Sequence, residues 1–300
     1  MKKLIFGLLL GLLPLPFAFG QAKPPHLVDE SIRGYVGTGA NTLILGFYIK
    51  ADNGQPTTLT KRCLIRGSGP ALRKFGVADA ANDPVITVFD AKGNILASND
   101  NWNTDPSAGV VASQVGAFAF ENGSKDAALV IQLPPGAYTA QLKDPSSIGS
   151  EALLEVYDAS QGTDFGILHL ANMSDRTGYA PATLGFIMDG IGQMRVLVRA
   201  VGPGLRPFGL SSILADPKLT VYDKAGVPIV VNDNWGTWST DLTPVFTQVG
   251  AFPLAPGSTD SAAVLTIGVN GPTSITARVT SASGGTTTDT VNLMELYTLD

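Results

Sequence analysis

LIRGSGPALRKFGVADAANDPVITVFDAKGNILASNDNW, residues 64–102, is written a second time as LVRAVGPGLRPFGLSSILADPKLTVYDKAGVPIVVNDNW, residues 197–235. The two stretches align without a gap at an offset of 133, and 18 of their 39 positions are identical. Identities fall on Arg66/Arg199, Gly69-Pro70/Gly202-Pro203, Asp83-Pro84/Asp216-Pro217 and Asn99-Asp100-Asn101-Trp102/Asn232-Asp233-Asn234-Trp235. After a slip of one residue the match resumes at Gln114–Phe118 over Gln248–Phe252. It returns once more at Glu155-Val156-Tyr157 over Glu295-Leu296-Tyr297. A unit of about 130 residues exceeds the roughly 20–50 of solenoid repeats and can bury a core of its own. The chain therefore reads as a tandem pair, residues 23–160 and 161–300.

The regular segments have strand character. Tyr138, Ala140 and Leu142 alternate with Thr139, Gln141 and Lys143, as Ile275, Ala277 and Val279 alternate with Thr276, Arg278 and Thr280. A period of two buries one face and wets the other. The 34 glycines and 20 prolines punctuate short runs, a spacing suited to sandwiches and barrels. Eight strands are expected between residues 27 and 157 and eight more between 167 and 298. The fold class that follows is all-β: two antiparallel β-sandwiches, jelly-roll or immunoglobulin-like, related by internal duplication. Single helical turns are expected at Pro70–Phe75 and Pro203–Phe208, where proline starts a turn and glycine ends it. The boundary run 158–166 is too short for a free tether, so the two units should touch.

Residues 1–22 read as a secretory signal peptide. Lys2-Lys3 precedes an apolar run from Leu4 to Phe19, and small residues surround Gly20 and Ala22. Pro14 and Pro16 and the shortness of the run argue against a membrane anchor. Cleavage would remove two lysines and no acid, taking the formal charge from −5 to −7. The charges are sparse and show no basic run, which leaves nucleic acid or anionic lipid without an electrostatic footprint. Cys63, the single cysteine, lies in an apolar run and reads as a small buried hydrophobe.

Catalytic signatures are absent from the sequence. There is no Gly-x-Ser-x-Gly elbow, His-Glu-x-x-His helix or Cys-x-x-Cys pair, and His26 and His169 occupy unrelated positions in the two copies. Gly67-Ser68-Gly69-Pro70 lacks the continuation of a phosphate loop and reads as a tight turn. A glycosidase needs only two suitably spaced carboxylates, so a pair such as Asp100 and Asp126 keeps that alternative open.

The duplicated acidic-amide cluster is the candidate metal site. Asp90, Asn99, Asp100, Asn101 and Asp126 recur as Asp223, Asn232, Asp233, Asn234 and Asp260. Calcium takes six to eight hard oxygens from flexible loops, which this set could supply; the competing reading is that Asn and Asp cap turns through their own backbone. The candidate ligand surface is aromatic: Phe89 and Tyr222 on the wetter face of their strands, with Trp102, Trp235 and Trp238. These rings would either stack on sugar rings or cover the ends of the sandwich as satellite core residues. Arg66/Glu155 and Arg199/Glu295 sit in apolar runs where an unpaired charge is costly, so pairing within each copy is expected.

Two resemblances accompany these residues. Arg33-Gly34-Tyr35-Val36-Gly37-Thr38-Gly39, Leu43-Ile44-Leu45-Gly46-Phe47, Leu64-Ile65-Arg66 and Asn99-Asp100-Asn101-Trp102 resemble a repeated β-module of large secreted bacterial proteins. Val88–Gly93, Asn99–Trp102 and Pro135–Thr139 are similar to the bacterial pre-peptidase C-terminal domain family. The second resemblance covers about half of each copy. It implies a calcium-tolerant β-sandwich attached to secreted enzymes; copy two departs from it at Asn270-Gly271-Pro272-Thr273. The function expected is a secreted, non-enzymatic binding or structural module. Its partner would be an extracellular polysaccharide or protein, with calcium as the one cofactor in view and no stable membrane insertion after signal cleavage. The alternatives are an accessory module of an extracellular hydrolase complex and a glycoside-active enzyme.

Overall fold

A computed structural model of the chain describes residues 23–299 except 38, 52–57, 147–148, 161–167 and 286. The signal peptide and most of the 158–166 boundary lie outside the described residues. The protein is mostly β, and the named strands pair antiparallel throughout. In the first half they are β1 (His26–Val36), β2 (Leu43–Ala51), β3 (Lys61–Ser68), β4 (Val85–Asp90), β5 (Ile95–Asn99), β6 (Ala127–Leu133), β7 (Gly136–Lys143) and β8 (Ser150–Asp158). The second half holds β9 (Leu168–Ala180), β10 (Ala182–Asp189), β11 (Ile191–Val201), β12 (Pro217–Tyr222), β13 (Pro228–Asn232), β14 (Ser261–Asn270), β15 (Thr273–Ser281) and β16 (Thr287–Thr298). Helices occur at Pro70–Phe75 and Pro203–Phe208 as expected, each a six-residue 3-10 helix of about two turns, not one. Two short α-helices were not expected: α1 (Ala108–Gln114) and α2 (Thr243–Val249). At seven residues each, they are too brief for a helical period to show in the sequence. Among the described residues no helix is long and apolar enough to cross a membrane.

Strand pairing repeats from one half to the other. In the first half β1-β8-β3-β6 and β2-β7-β4-β5 are hydrogen-bonded neighbours. In the second half the neighbours are β9-β16-β11-β14 and β10-β15-β12-β13. The halves are then joined through their first two strands: β1 pairs with β10 over His26–Arg33, and β9 pairs with β2 over Leu168–Arg176. The result is two eight-stranded runs, each containing four strands from either half, that touch at Leu27 opposite Leu170. The halves therefore share their sheets. That is a closer union than the contact expected from a short boundary, because free strand edges gain by finding partners.

Alternation along the strands explains why the two layers close on one another. Leu43, Leu45, Phe47 and Ile49 are buried on β2, and Ala182, Leu184, Phe186 and Met188 on β10. Both sets belong to one core cluster with Ile32, Ile65, Ile86, Leu142 and Met294. The layers approach closely at Gly67, where an added Cβ would fall 2.3 Å from Leu142 Cδ1. Cys63 is wholly buried in this core, as its apolar run predicts.

Candidate functional site

The duplicated acids have specific structural occupations. Asp126 is fully buried. Its Oδ1 accepts hydrogen bonds from the N–H of Gly69 (2.8 Å) and Ala71 (3.1 Å), and its Oδ2 accepts one from Ser124 Oγ (2.7 Å). Its main-chain carbonyl takes the N–H of Trp102 at 2.8 Å. Asp260 repeats this with Gly202 N (2.8 Å), Gly204 N (3.0 Å), Ser258 Oγ (2.7 Å) and the N–H of Trp235 (2.7 Å). One aspartate, through its carboxylate and its main-chain carbonyl, thus ties the end of β3 or β11, the following short helix and the tryptophan segment together. Glycine is required at the turn: a Cβ on Gly69 would lie 2.6 Å from Ala81 O, and one on Gly202 only 1.8 Å from Leu214 O.

Most of the remaining members hold turns or strand ends. Asp90 Oδ1 accepts from the N–H groups of Lys92 (2.8 Å) and Asn94 (2.9 Å), and Oδ2 accepts from Asn94 Nδ2 (2.8 Å). These bonds, led by the Asn94 side chain, hold the exposed carboxyl below its ordinary range. Asp223 Oδ1 accepts from Ala225 and Val227 N–H, both at 2.9 Å. Asn99 Oδ1 takes the N–H of Ala128 and Asn232 Oδ1 that of Ala262. The main-chain carbonyls of Asn101 and Asn234 accept from Thr104 and Thr237 hydroxyls, each at 2.7 Å. Asp100 and Asp233 are exposed.

A cation needs oxygens facing it with lone pairs free. Here the buried oxygens face N–H and O–H donors, whose positive hydrogens would oppose a second positive charge. Among the described residues, no three of His, Cys, Asp and Glu are placed to hold a metal ion. The bonds of Asp90, Asn99 and Asp126 and of their counterparts are those that hold turns and strand ends, and Asp100 and Asp233 stand exposed beside them. The same geometry leaves Asp126 ill-suited as partner to Asp100 in a hydrolytic pair, since its carboxylate is sealed beneath the surface by three donors.

The aromatic candidates divide. Trp235 is 9% exposed, and its indole N–H is directed inward to Ala255 O (3.3 Å) and Ser258 Oγ (3.2 Å). Trp102 is half-buried, bonds to Glu121 O at 3.2 Å, and meets Phe120 edge-on at 6.2 Å between ring centroids. Trp238 is partly buried against the core. Phe89 and Tyr222 alternate with inward Val88 and Val221 and so occupy the outer face. Each stands in a cross-strand pair with an exposed apolar residue: Phe89 opposite Ile95, Tyr222 opposite Pro228. Ile95 and Val231 are 66% and 55% exposed. These hairpins end the two eight-stranded runs, β4-β5 in one and β12-β13 in the other.

The arginine–glutamate pairs form as expected, across neighbouring strands of one sheet. Arg66 faces Glu155 with Nε 3.6 Å from Oε2, and Arg199 faces Glu295 at 2.9 Å. Tyr157 and Tyr297 each donate to the other glutamate oxygen at 2.7 Å. Burial raises both glutamates above their ordinary range, against the pull of the arginines.

Several notable groups carried no sequence signal. Lys61 is fully buried, donating to Leu168 O (2.6 Å) and Ser160 Oγ (2.8 Å) and paired with Asp158 at 2.7 Å. Glu30 and Asp175 are fully buried, and Asp29 nearly so, in the strands through which the halves join. Desolvation raises all three, Asp29 to about 8. His26 and His169, unrelated by the sequence repeat, meet edge-to-face with centroids 6.1 Å apart. Asp29 and Glu30 are neighbours on β1 and point to opposite faces, both of them covered, so the packing around the strand had to be seen before their burial could be known.

No family model matches the chain, and no curated protein sequence matches it. Among solved structures it is similar to the VP2 subviral particle of infectious bursal disease virus, at 11% identity and a TM-score of 0.18, covering 93% of this chain and 73% of that one. The Gt strain of the same virus gives 12%, 0.17, 94% and 73%. The Sputnik virophage gives 8%, 0.15, 92% and 81%. Likeness at this level assigns neither fold nor function.

Proposed function

We propose that the protein is a secreted, non-enzymatic binding module that contacts an extracellular polymer, with polysaccharide as the favoured class, through two ends of one rigid scaffold. The observation carrying this reading is the pair of hairpin faces: Phe89 beside Ile95 and Tyr222 beside Pro228, each aromatic ring on an outer surface flanked by exposed apolar side chains. Phe89 and Tyr222 are themselves half-buried, and the accessible part of each ring, beside exposed Ile95 or Pro228, offers apolar surface on which a ligand can dock. Two such places on one chain suit a ligand with repeating units, because the second contact becomes intramolecular once the first has formed. The scaffold reading that accompanies it is a duplicated jelly roll. The order 1-8-3-6 over 2-7-4-5 within the first half, and its recurrence in the second, favour that over an immunoglobulin-like sandwich.

A polysaccharide array with the mature protein tests this. Wild type is expected to retain on at least one extracellular polysaccharide. Phe89→Ala or Tyr222→Ala should weaken retention more than twofold, and the double variant should abolish it. Retention unchanged in the double variant, or none in wild type, overturns the reading.

A further inference from the structure

The halves differ where the two short helices pack. Ala117 N–H bonds to Ala112 O at 2.9 Å and Ala251 N–H to Phe246 O at 2.9 Å, so Ala112 and Phe246 hold equivalent places on α1 and α2. The same 134-residue offset sets Ala108 against Leu242 and Gly109 against Thr243. At all three places the first half has the smaller side chain. In the second half Leu242 and Phe246 are buried, 1% and 2% exposed, and the Phe246 ring lies 4.8 Å from the Arg199 guanidinium. Phe120, opposite Leu254, is the larger residue of the first half among those lining this region, and it does not fill the space.

What remains in the first half is a cavity of about 240 Å3, lined by Arg66, Trp102, Gly109, Ala112, Phe118 and Phe120 among others. That exceeds the ~150 Å3 apolar cavity known to take up benzene. Its walls are aromatic and small aliphatic groups with one hydroxyl, of Ser113, and a single charge among them. Arg66 is 1% exposed, with its guanidinium between the rings of Phe118 and Phe120 at 4.3 and 4.1 Å. Nη2 donates to Phe118 O at 2.8 Å, while Nη1 and Nε have no hydrogen-bond partner; Arg199 is left the same way in the second half, but there Phe246 and Leu242 occupy the space beside it. A buried N–H of a cation left without an acceptor is costly, and a ligand oxygen entering the cavity would relieve that cost.

We infer that the space under α1 is a binding site for a small ring compound carrying one carbonyl or carboxylate oxygen, with Trp102 and the phenylalanines holding the ring and the Arg66 guanidinium holding the oxygen. In the second half buried Phe246 and Leu242 stand in the equivalent places. The site is separate from the hairpin faces and does not depend on what they bind.

Isothermal titration of the mature protein with benzamide, benzoate and toluene tests the inference. Benzamide or benzoate should bind once per chain and at least tenfold more tightly than toluene, which lacks the acceptor. Ala112→Phe, which copies the second half, should remove binding. Should that variant fail to unfold cooperatively, Ala112→Phe with Phe120→Leu reproduces the second half's pair and serves in its place. Phe246→Ala with Leu242→Ala should open a second site and raise the stoichiometry to two. Absence of binding by both oxygen-bearing probes overturns the inference. So does toluene binding as tightly as they do, or binding that survives filling by phenylalanine.

Discussion

Arg66 and Glu155 stand directly opposite each other on adjacent strands, with Nε 3.6 Å from Oε2, and both are almost entirely withdrawn from water. Arg66 is held further by the Phe118 carbonyl and two aromatic faces, and Glu155 by the hydroxyls of Tyr157 and Ser68. Breaking a buried pair by removing one partner costs about 3–5 kcal/mol, because the survivor is stranded, whereas replacing both by apolar groups can be close to neutral. Arg66→Met should therefore lower stability by about that amount in urea denaturation. Arg66→Met with Glu155→Leu should recover much of the loss. Additive losses in the double-mutant cycle would show that the pair contributes nothing as a pair.

The buried acids at the junction of the halves set a pH dependence. Burial raises Asp175 and Glu30 above their ordinary range, and Asp29 to about 8. The folded state thus binds protons more tightly than the unfolded chain. The stability these groups allow is complete below the unfolded carboxylate range, near pH 4, and is lost as pH rises through the folded values. Asp175→Asn removes one titration while keeping the shape. Its melting temperature should match wild type near pH 3 and exceed it by several degrees at pH 8. A difference that does not vary with pH would refute the assignment.

Asp126 and Asp260 are expected to be stability residues. Asp126→Ala leaves the N–H groups of Gly69 and Ala71 without acceptors, and Asp260→Ala does the same to Gly202 and Gly204. Each buried orphan costs about 1–3 kcal/mol. Either change should cut stability by several kcal/mol, to be read from chemical denaturation. Losses under about 0.5 kcal/mol, ordinary for a surface site, would mean that the turns hold without the carboxylates.

Calcium should leave the melting temperature where it was. Anything that binds only the folded state raises it by mass action, and the oxygens of Asp90, Asn99 and Asp126 already accept hydrogen bonds. The melting temperature in millimolar calcium should equal that in chelator, for wild type and for Asp100→Ala alike. A rise of several degrees that Asp100→Ala abolishes would restore the metal site.

The strands were largely legible because alternation is local. Ile86 and Val88 face inward and Phe89 outward, as the wetter character of Lys218, Thr220 and Tyr222 on the equivalent strand implies. The arginine–glutamate pairs were legible for a related reason: two charges repeated at matched depths in apolar runs leave little choice but each other. The acid-amide cluster was ambiguous, since the same residues serve a cation or a turn. Only the direction of the N–H groups at Asp126 and Asp90 distinguishes the two. The cavity under α1 had a faint signal, in Ala112 standing where Phe246 stands, but side-chain size shows a void only when the surrounding walls are in place.

By itself the sequence determined what each segment prefers: strands with one dry face, turns where glycine and proline demand them, and a second copy of the same instructions 133 residues on. Those are properties of neighbours along the chain, governed by backbone sterics and hydrophobic period. Tertiary structure decided which strands met across the halves. Leu27 and Leu170 carry no mark that they will face each other, nor β1 that it will pair with β10. Strand edges offer the same donors and acceptors to any partner, so the choice falls to the packing of the whole core. That choice placed Glu30 and Asp175 out of water, brought His26 to His169, and sent the two aromatic hairpins to the ends of the two runs.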